Sequence, residues 1–322
     1  MRIVFLGSPD FAVPIFARLR QTFPIAGVVT QPDRRAGRGR VMQSPPVAQL
    51  ARHFGVDLLQ PPLINADAAI RRLSAWSPDI IIVAAYGQIL SPKVLSIPLL
   101  GCLNVHASLL PRWRGASPVQ AAIRAGDAET GVTIMEMDKG MDTGPILSQR
   151  RTEVCPRETG GELAKRLASL GGELLIETLP AYIAGEITPI PQPENLATYA
   201  PLLKKSDGLL DWGTPAQELE RQVFAYEPWP TSFFHWQQRR IVVRRAHAIP
   251  EQAGRPGRVV VLQEAPAVGT PHGVLCLDFV QPAGKSEMSG AAFLRGAAGF
   301  AHARLSHSSS PSRASSGPSH LR

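Results

Sequence analysis

The chain has 322 residues, 44% of them hydrophobic, which is long for one core and comfortable for two domains. No apolar run approaches the roughly 20 residues of a membrane-spanning helix, and the three scattered cysteines, Cys102, Cys155 and Cys276, offer neither a disulfide framework nor a CxxC metal pair. A formal net charge of +8 favours an anionic partner and speaks to binding, not to fold.

Residues 2–7 (RIVFLG) predict a buried strand that starts at once. This stretch is too short for a signal peptide and Asp10 interrupts it, so a cytoplasmic protein is expected. A helix near 11–20 and a strand at 25–30 follow. Residues 45–55 predict a helix with Pro at its start and Gly at its end. The run DIIIVAA (79–85) reads as a strand covered on both faces, and 101–106 as another. Ser117-Pro118 opens a helix that Gly126 closes. Strands are expected at 132–137 and 146–154. Thr159 and Glu162 form a capping-box pattern ahead of a long helix to about Tyr182. This alternation predicts an α/β domain with a Rossmann-like, mostly parallel sheet. The first turn, GSPDFA, is not GxGxxG and no P-loop is present, so no dinucleotide site is expected.

Composition shifts near residue 188, and the Pro-rich, polar stretch 189–206 predicts a linker. Beyond it, a helix opens at Thr214-Pro215, and short β runs (SFFHW, RIVVRRA, GRVVVL, GVLCLDFV) predict a smaller β-barrel, OB-like, over 207–305. The Ser-rich stretch 306–322 predicts a disordered tail.

Asn104 and His106 stand two apart on a short apolar run, so on a strand both point to one face. Asp142 follows in a Gly-bracketed loop, MDKGMDTGPIL. A carboxylate is the usual partner that sets an imidazole's tautomer and charge. Amide, imidazole and carboxylate together suit acyl transfer to an amine: stabilisation of an oxyanion plus proton handling.

The segments NVHASLLPRWRGASPVQAAI and GMDTGPIL resemble the signature of the folate-dependent formyltransferases. TQPDRRAGRGR, YAPLLKKSDGLLDW and AYEPWPTSFF are similar to segments of the branch of that family that acts on charged initiator tRNA. The resemblance covers roughly residues 1–300 and implies transfer of a formyl group from 10-formyltetrahydrofolate to the α-amino group of methionine on initiator methionyl-tRNA. It places Asn104, His106 and Asp142 at the catalytic positions, and Ser108, Leu109, Leu110 and Pro111 in the folate-contacting loop. The chemistry needs no metal, and a 1–188 catalytic domain is implied.

For RNA, RRAGRGR sets Arg34, Arg35, Arg38 and Arg40 within seven positions. A loop so charged cannot be core. It is either a mobile solvated loop or an RNA-gripping insertion that orders on contact. The resemblance points to Arg38 as the arginine entering the acceptor stem. Lys204 and Lys205 are expected to meet phosphates, and Arg239, Arg240, Arg244 and Arg245 either do the same or form a wet strand face. Formylation of a nucleotide-linked amino sugar, hydrolysis of formyl-folate, and a noncatalytic RNA-binding module remain open alternatives. A monomer is expected, since no heptad or exposed apolar helix suggests association.

Overall fold

The computed structural model describes residues 1–36, 39, 41–250 and 254–306. The chain divides into two compact units, Met1–Leu203 and Lys204–Arg322.

The first unit begins with β1 (Ile3–Gly7), α1 (Ala12–Thr22) and β2 (Ile25–Val29), then a hairpin of β3 (Arg34–Ala36) and β4 (Val41–Gln43). It continues through α2 (Pro46–His53), β5 (Leu58–Leu59), α3 (Asp67–Ala75), β6 (Ile80–Ala84), α4 (Pro92–Leu95) and β7 (Cys102–His106). The short β8 (Arg114–Gly115), α5 (Pro118–Ala125), β9 (Glu129–Glu136), β10 (Ile146–Glu153), the 24-residue α6 (Gly160–Ile183) and β11 (Tyr199–Ala200) complete it. Seven strands form one sheet in the order β10-β9-β7-β6-β1-β2-β5. From β5 to β7 all neighbours run parallel, while β9 runs antiparallel to both β7 and β10. This is the mostly parallel α/β sheet expected. The strand order reverses between β1 and β6, the kind of switch point at which open α/β sheets bind ligands beyond their carboxyl ends.

Every residue of β1, β6 and β7 is buried, as strands covered on both faces must be. One cover is α6. Its start satisfies two orphan amides reciprocally: Glu162 N donates to Thr159 Oγ1 (3.2 Å), and Thr159 N donates to Glu162 Oε2 (2.9 Å). Gly171 then lets α6 come close to the sheet, since a Cβ there would lie 2.8 Å from Val105 Cγ1.

The stretch 189–203, expected as part of a linker, is instead built into the first unit. Ile190 and Ile146 exchange two backbone hydrogen bonds (2.8 and 2.9 Å), and β11 pairs in parallel with β8. Proline and polar content disfavour a helix or a central strand, but they leave carbonyls and amides that an edge can satisfy. The boundary between units therefore falls after Leu203.

The second unit contains α7 (Ala216–Ala225), β12 (Ser232–Trp236), β13 (Arg239–Ile249), β14 (Val259–Leu262), β15 (Ala265–Gly269), β16 (Val274–Pro282), β17 (Met288–Ser289) and α8 (Gly290–Gly296). Its strands form an antiparallel sheet in the order β12-β13-β16-β15-β14, with β17 on β16. Trp212, Phe234, Leu277 and Phe300 are buried in its core. Phe300 stacks on Phe234 at 5.9 Å and meets Phe293 edge-on at 5.0 Å. The chain is held down as far as Leu305, whose amide donates to Gly257 O (2.7 Å). Of the expected tail, residues 307–322 lie outside the described residues. Among the described residues no helix is long and apolar enough to cross a membrane.

Burial pushes the Cys102 thiol up to about 12; burial and then the Asp278 charge push Cys276 up to about 11. Only Cys155 is exposed. Because the thiolate is the reactive form, a neutral-pH thiol reagent is expected to label one cysteine quickly in the native protein and three after unfolding. A second fast thiol in the native protein would contradict the burial of both strand cysteines.

Candidate active site

Strand β7 carries two polar side chains in a buried layer: Asn104 is 9% exposed and His106 is 6% exposed. Buried polar groups without partners cost several kcal/mol, so they demand acceptors and donors. The loop between β9 and β10 brings Asp142 to both, and the carboxylate sits between them. Asn104 Nδ2 donates to Asp142 Oδ1 (3.1 Å), and His106 Nδ1 lies 3.6 Å from Asp142 Oδ2. The backbone amide of Gly115 also donates to Asp142 Oδ2 (2.9 Å). The three residues that the sequence singled out are thus brought together.

Asp142 takes a left-handed backbone, with φ of 53°. Asp tolerates that region better than most residues. Its loop is braced internally, as Asp138 Oδ1 accepts from Gly140 N (2.9 Å) and Thr143 Oγ1 (2.6 Å). Gly115 shows why a glycine stands in RWRGASP. Its φ is 112°, and a Cβ there would lie 2.6 Å from Ala200 O.

The other ring nitrogen of His106 is also engaged. Nε2 lies 2.9 Å from Trp113 O. A carbonyl only accepts, so Nε2 carries the proton in this contact. Trp113 is itself pinned: its amide donates to Thr198 Oγ1 (2.9 Å) and its indole to Asp127 Oδ2 (2.7 Å). Sequence reasoning missed Trp113, Gly115 and Thr198. Only Gly115 left a signal, a glycine amid bulky and charged residues.

The loop after β7 alternates in burial: Ser108 and Leu110 are buried, Leu109 and Pro111 half-buried. Ser108 is fully buried and its hydroxyl donates to Arg112 O (2.6 Å). Leu109, Leu110 and Pro111 instead line a cleft of about 470 Å³, together with Trp113 and Gln149. Thr133 fixes the loop: its hydroxyl donates to Ser108 O (2.7 Å) and accepts from Leu110 N (3.1 Å) and Gln149 Nε2 (2.9 Å). Asn104, His106 and Asp142 are not part of that cleft's lining.

The basic residues fall into two classes. Arg34 and Arg35 are exposed on β3, and Arg34 NH2 donates to Gln31 Oε1 (2.9 Å) at the carboxyl end of β2. Arg38 and Arg40 lie outside the described residues. Lys204, Lys205 and Arg239 are exposed. Arg244, by contrast, is tied to Glu227 (3.0 and 2.9 Å) and to Gln281 (3.1 and 2.6 Å). Arg240 lies over the Phe233 ring at 3.9 Å, and burial lowers its pKa from the ordinary arginine value. Arg245 is half-buried and donates to Arg244 O (3.1 Å).

Known proteins match most of both units. A family model described as formyl transferase matches residues 1–179, and one described as formyl transferase, C-terminal domain, matches residues 202–298. A methionyl-tRNA formyltransferase of Roseiflexus sp. (strain RS-1) is 47% identical over 300 residues, with 92% of each chain covered. One from Myxococcus xanthus (strain DK1622) is 45% identical over 296 residues, covering 92% of this chain and 95% of that one. Among solved structures, HypX of Aquifex aeolicus in complex with tetrahydrofolic acid shares the fold at a TM-score of 0.59 and 19% identity. That match covers 91% of this chain, which spans about half (47%) of the HypX chain. With nearly half of its residues identical along almost its full length, this chain belongs to the formyl transferase family, in the branch of the methionyl-tRNA formyltransferases.

Proposed function

We propose that this protein transfers the formyl group of 10-formyltetrahydrofolate to the α-amino group of methionine on initiator methionyl-tRNA. The observation that carries the proposal is the meeting of Asn104, His106 and Asp142 at the carboxyl end of β7, in a chain whose relatives at 45–47% identity bear the name methionyl-tRNA formyltransferase.

Acyl transfer needs a donor for an oxygen that gains negative charge, and a route for the proton that the amine gives up. Asn104 uses one amide N–H on Asp142 and keeps a second for that oxygen. One such donor is worth on the order of 3 kcal/mol of barrier. His106 has both nitrogens engaged. It can serve the same oxygen by exchanging the Trp113 carbonyl for it. Charge favours the exchange, because a hydrogen bond to an anionic acceptor is about twice as strong as one to a neutral carbonyl. Asp142 orients the ring and is the group that takes the amine's proton. No side-chain nucleophile is required, and the nearest thiol on β7, Cys102, is held protonated by burial.

Formyl-folate supplies an already activated one-carbon unit. The cleft beside Leu109, Leu110 and Pro111, about 470 Å³, is within the usual span for small-molecule sites, roughly 300–1,000 Å³. Since the triad does not line it, it serves part of the cosubstrate while the formyl end reaches Asn104, His106 and Asp142. The apolar loop and the Trp113 indole suit flat rings, and the Gln149 amide adds a polar contact.

The β3–β4 hairpin rises from the carboxyl end of β2, on the same edge of the sheet as His106. Three strand steps separate β2 from β7, about 14 Å at the usual strand spacing. The end of an acceptor stem can span that distance, so one RNA can meet Arg34 and Arg35 while its amino acid reaches the triad; on the sequence resemblance, Arg38 and Arg40 serve the same contact. Lys204 and Lys205 are further exposed cations for phosphate. We read the protein as a cytoplasmic monomer.

Asn104→Ala, His106→Ala and Asp142→Ala are each expected to lower kcat by about 10²–10³-fold and to leave tRNA affinity near wild type. Initial rates with formyl-folate and methionyl initiator tRNA, alongside filter binding, check this. Transfer only to an amino-sugar nucleotide, or release of free formate without transfer, would sink the assignment.

The double variant Arg34→Ala/Arg35→Ala is expected to weaken tRNA binding and to flatten its salt dependence. The slope of log K against log salt should fall by about 0.7–0.9 for each phosphate that the variant no longer neutralises. An unchanged slope would remove β3 from the RNA interface.

A further inference from the structure

We propose that Gln192 is a positioning residue for Asp142, an inference that rests on the formyl-transfer function above. Gln192 lies in the Pro-rich stretch ahead of β11, and both polar atoms of its side chain are used. Its Nε2 donates to Asp142 O (2.9 Å) and to Gly144 O (2.7 Å). Its Oε1 accepts from Arg114 Nε (3.0 Å). One amide therefore joins the loop that carries Asp142 to the loop that carries Gly115.

The partner on that second loop is anchored firmly. Arg114 is 1% exposed and NH1 donates to both carboxylate oxygens of Glu194 (3.0 and 2.8 Å). Burial opposes the Arg114 charge, but hydrogen bonds to Glu194 and Tyr199 outweigh it and hold the guanidinium above its ordinary value. The adjacent Gly115 amide is the donor to Asp142 Oδ2. Asp142 is thus gripped at its backbone carbonyl by Gln192 and at its carboxylate by the residue beside Gln192's own partner. A left-handed φ of 53° at Asp142 is tolerated by Asp yet costs more than at glycine, so bonds to its backbone help to hold it. The Gln192 bonds do so here, and they set where the carboxylate meets Asn104 and His106.

Gln192→Glu separates positioning from mere packing. It keeps an acceptor for Arg114 and the side-chain volume, but turns both donors into an oxygen that faces two carbonyls. Wild type and Gln192→Glu are compared in kcat, in KM for each substrate, in thermal midpoint, and in hydrogen exchange at the Gly115 amide. The expected result is a kcat lower by about a hundredfold, as a misplacement near 1 Å produces, with each KM changed less than about threefold. The midpoint should hold and the Gly115 amide should exchange faster. A wild-type kcat in Gln192→Glu overturns the inference. So does a kcat loss that follows a lowered midpoint and vanishes when rates are measured well below it, because that assigns Gln192 to stability alone. Should wild type itself form no formylated tRNA, the functional proposal fails, and Gly115 exchange alone decides positioning: faster in Gln192→Glu supports it, unchanged overturns it.

Discussion

The site depends on one carboxylate placed between two buried polar side chains. Asn104 and His106 interrupt an otherwise apolar strand, and neither would be tolerated there without a partner. Asp142 meets Asn104 at 3.1 Å and stands 3.6 Å from His106. Its own burial is in turn made tolerable by those groups and by the Gly115 amide. Each member thus offsets the desolvation of the others. Removing one leaves the rest short of partners in a medium where that shortfall is expensive. A cluster built this way is also preorganised, since its dipoles are oriented before any substrate arrives.

Two loops with little regular structure hold this cluster, and each is braced by hydrogen bonds more than by apolar packing. Thr133 and Gln149 secure the turn after β7 through Ser108 O, Leu110 N and Leu110 O. The stretch before β11 secures the next turn through Thr198, and Ala200 O accepts from the Ala116 amide at 2.9 Å. Ordered loops on a rigid sheet are the usual home of catalytic groups. Here the rigidity of the loops comes from satisfied amides and carbonyls, so single polar substitutions far from the chemistry reach it.

Net charge and available charge differ in this protein. The chain carries +8 overall, yet its arginines are not equivalent. Arg244 is neutralised by Glu227 and Arg240 is stacked on Phe233. Arg34, Arg35, Arg239, Lys204 and Lys205 remain exposed. A guanidinium carries a long apolar stem and a flat face, so it can serve as packing material as readily as a phosphate ligand. Alternation of arginines along β13 could not distinguish those uses.

Much of the first unit was legible from pattern: continuous apolar runs for β1, β6 and β7, the Thr159–Glu162 capping box, and Gly126 closing α5 with φ of 75°. Those features are local, set by burial on both strand faces and by unsatisfied helix ends. The meeting of Asn104, His106 and Asp142 was legible too, since amide, imidazole and carboxylate are natural partners by type. The β3–β4 hairpin and α3 were not read as elements, being short and weakly apolar. Nor did composition show that 189–203 is structural, because Pro-rich segments look alike whether or not an edge accepts them. By itself, then, the sequence determined the two-part architecture, the sheet's covered strands and the three polar residues that meet at the carboxyl end of β7. Tertiary structure alone decided which nitrogen of His106 faces Trp113, that Gln192 grips the Asp142 loop, and which arginines stay exposed. Those outcomes depend on contacts between residues far apart in the chain, made at distances that no local pattern encodes.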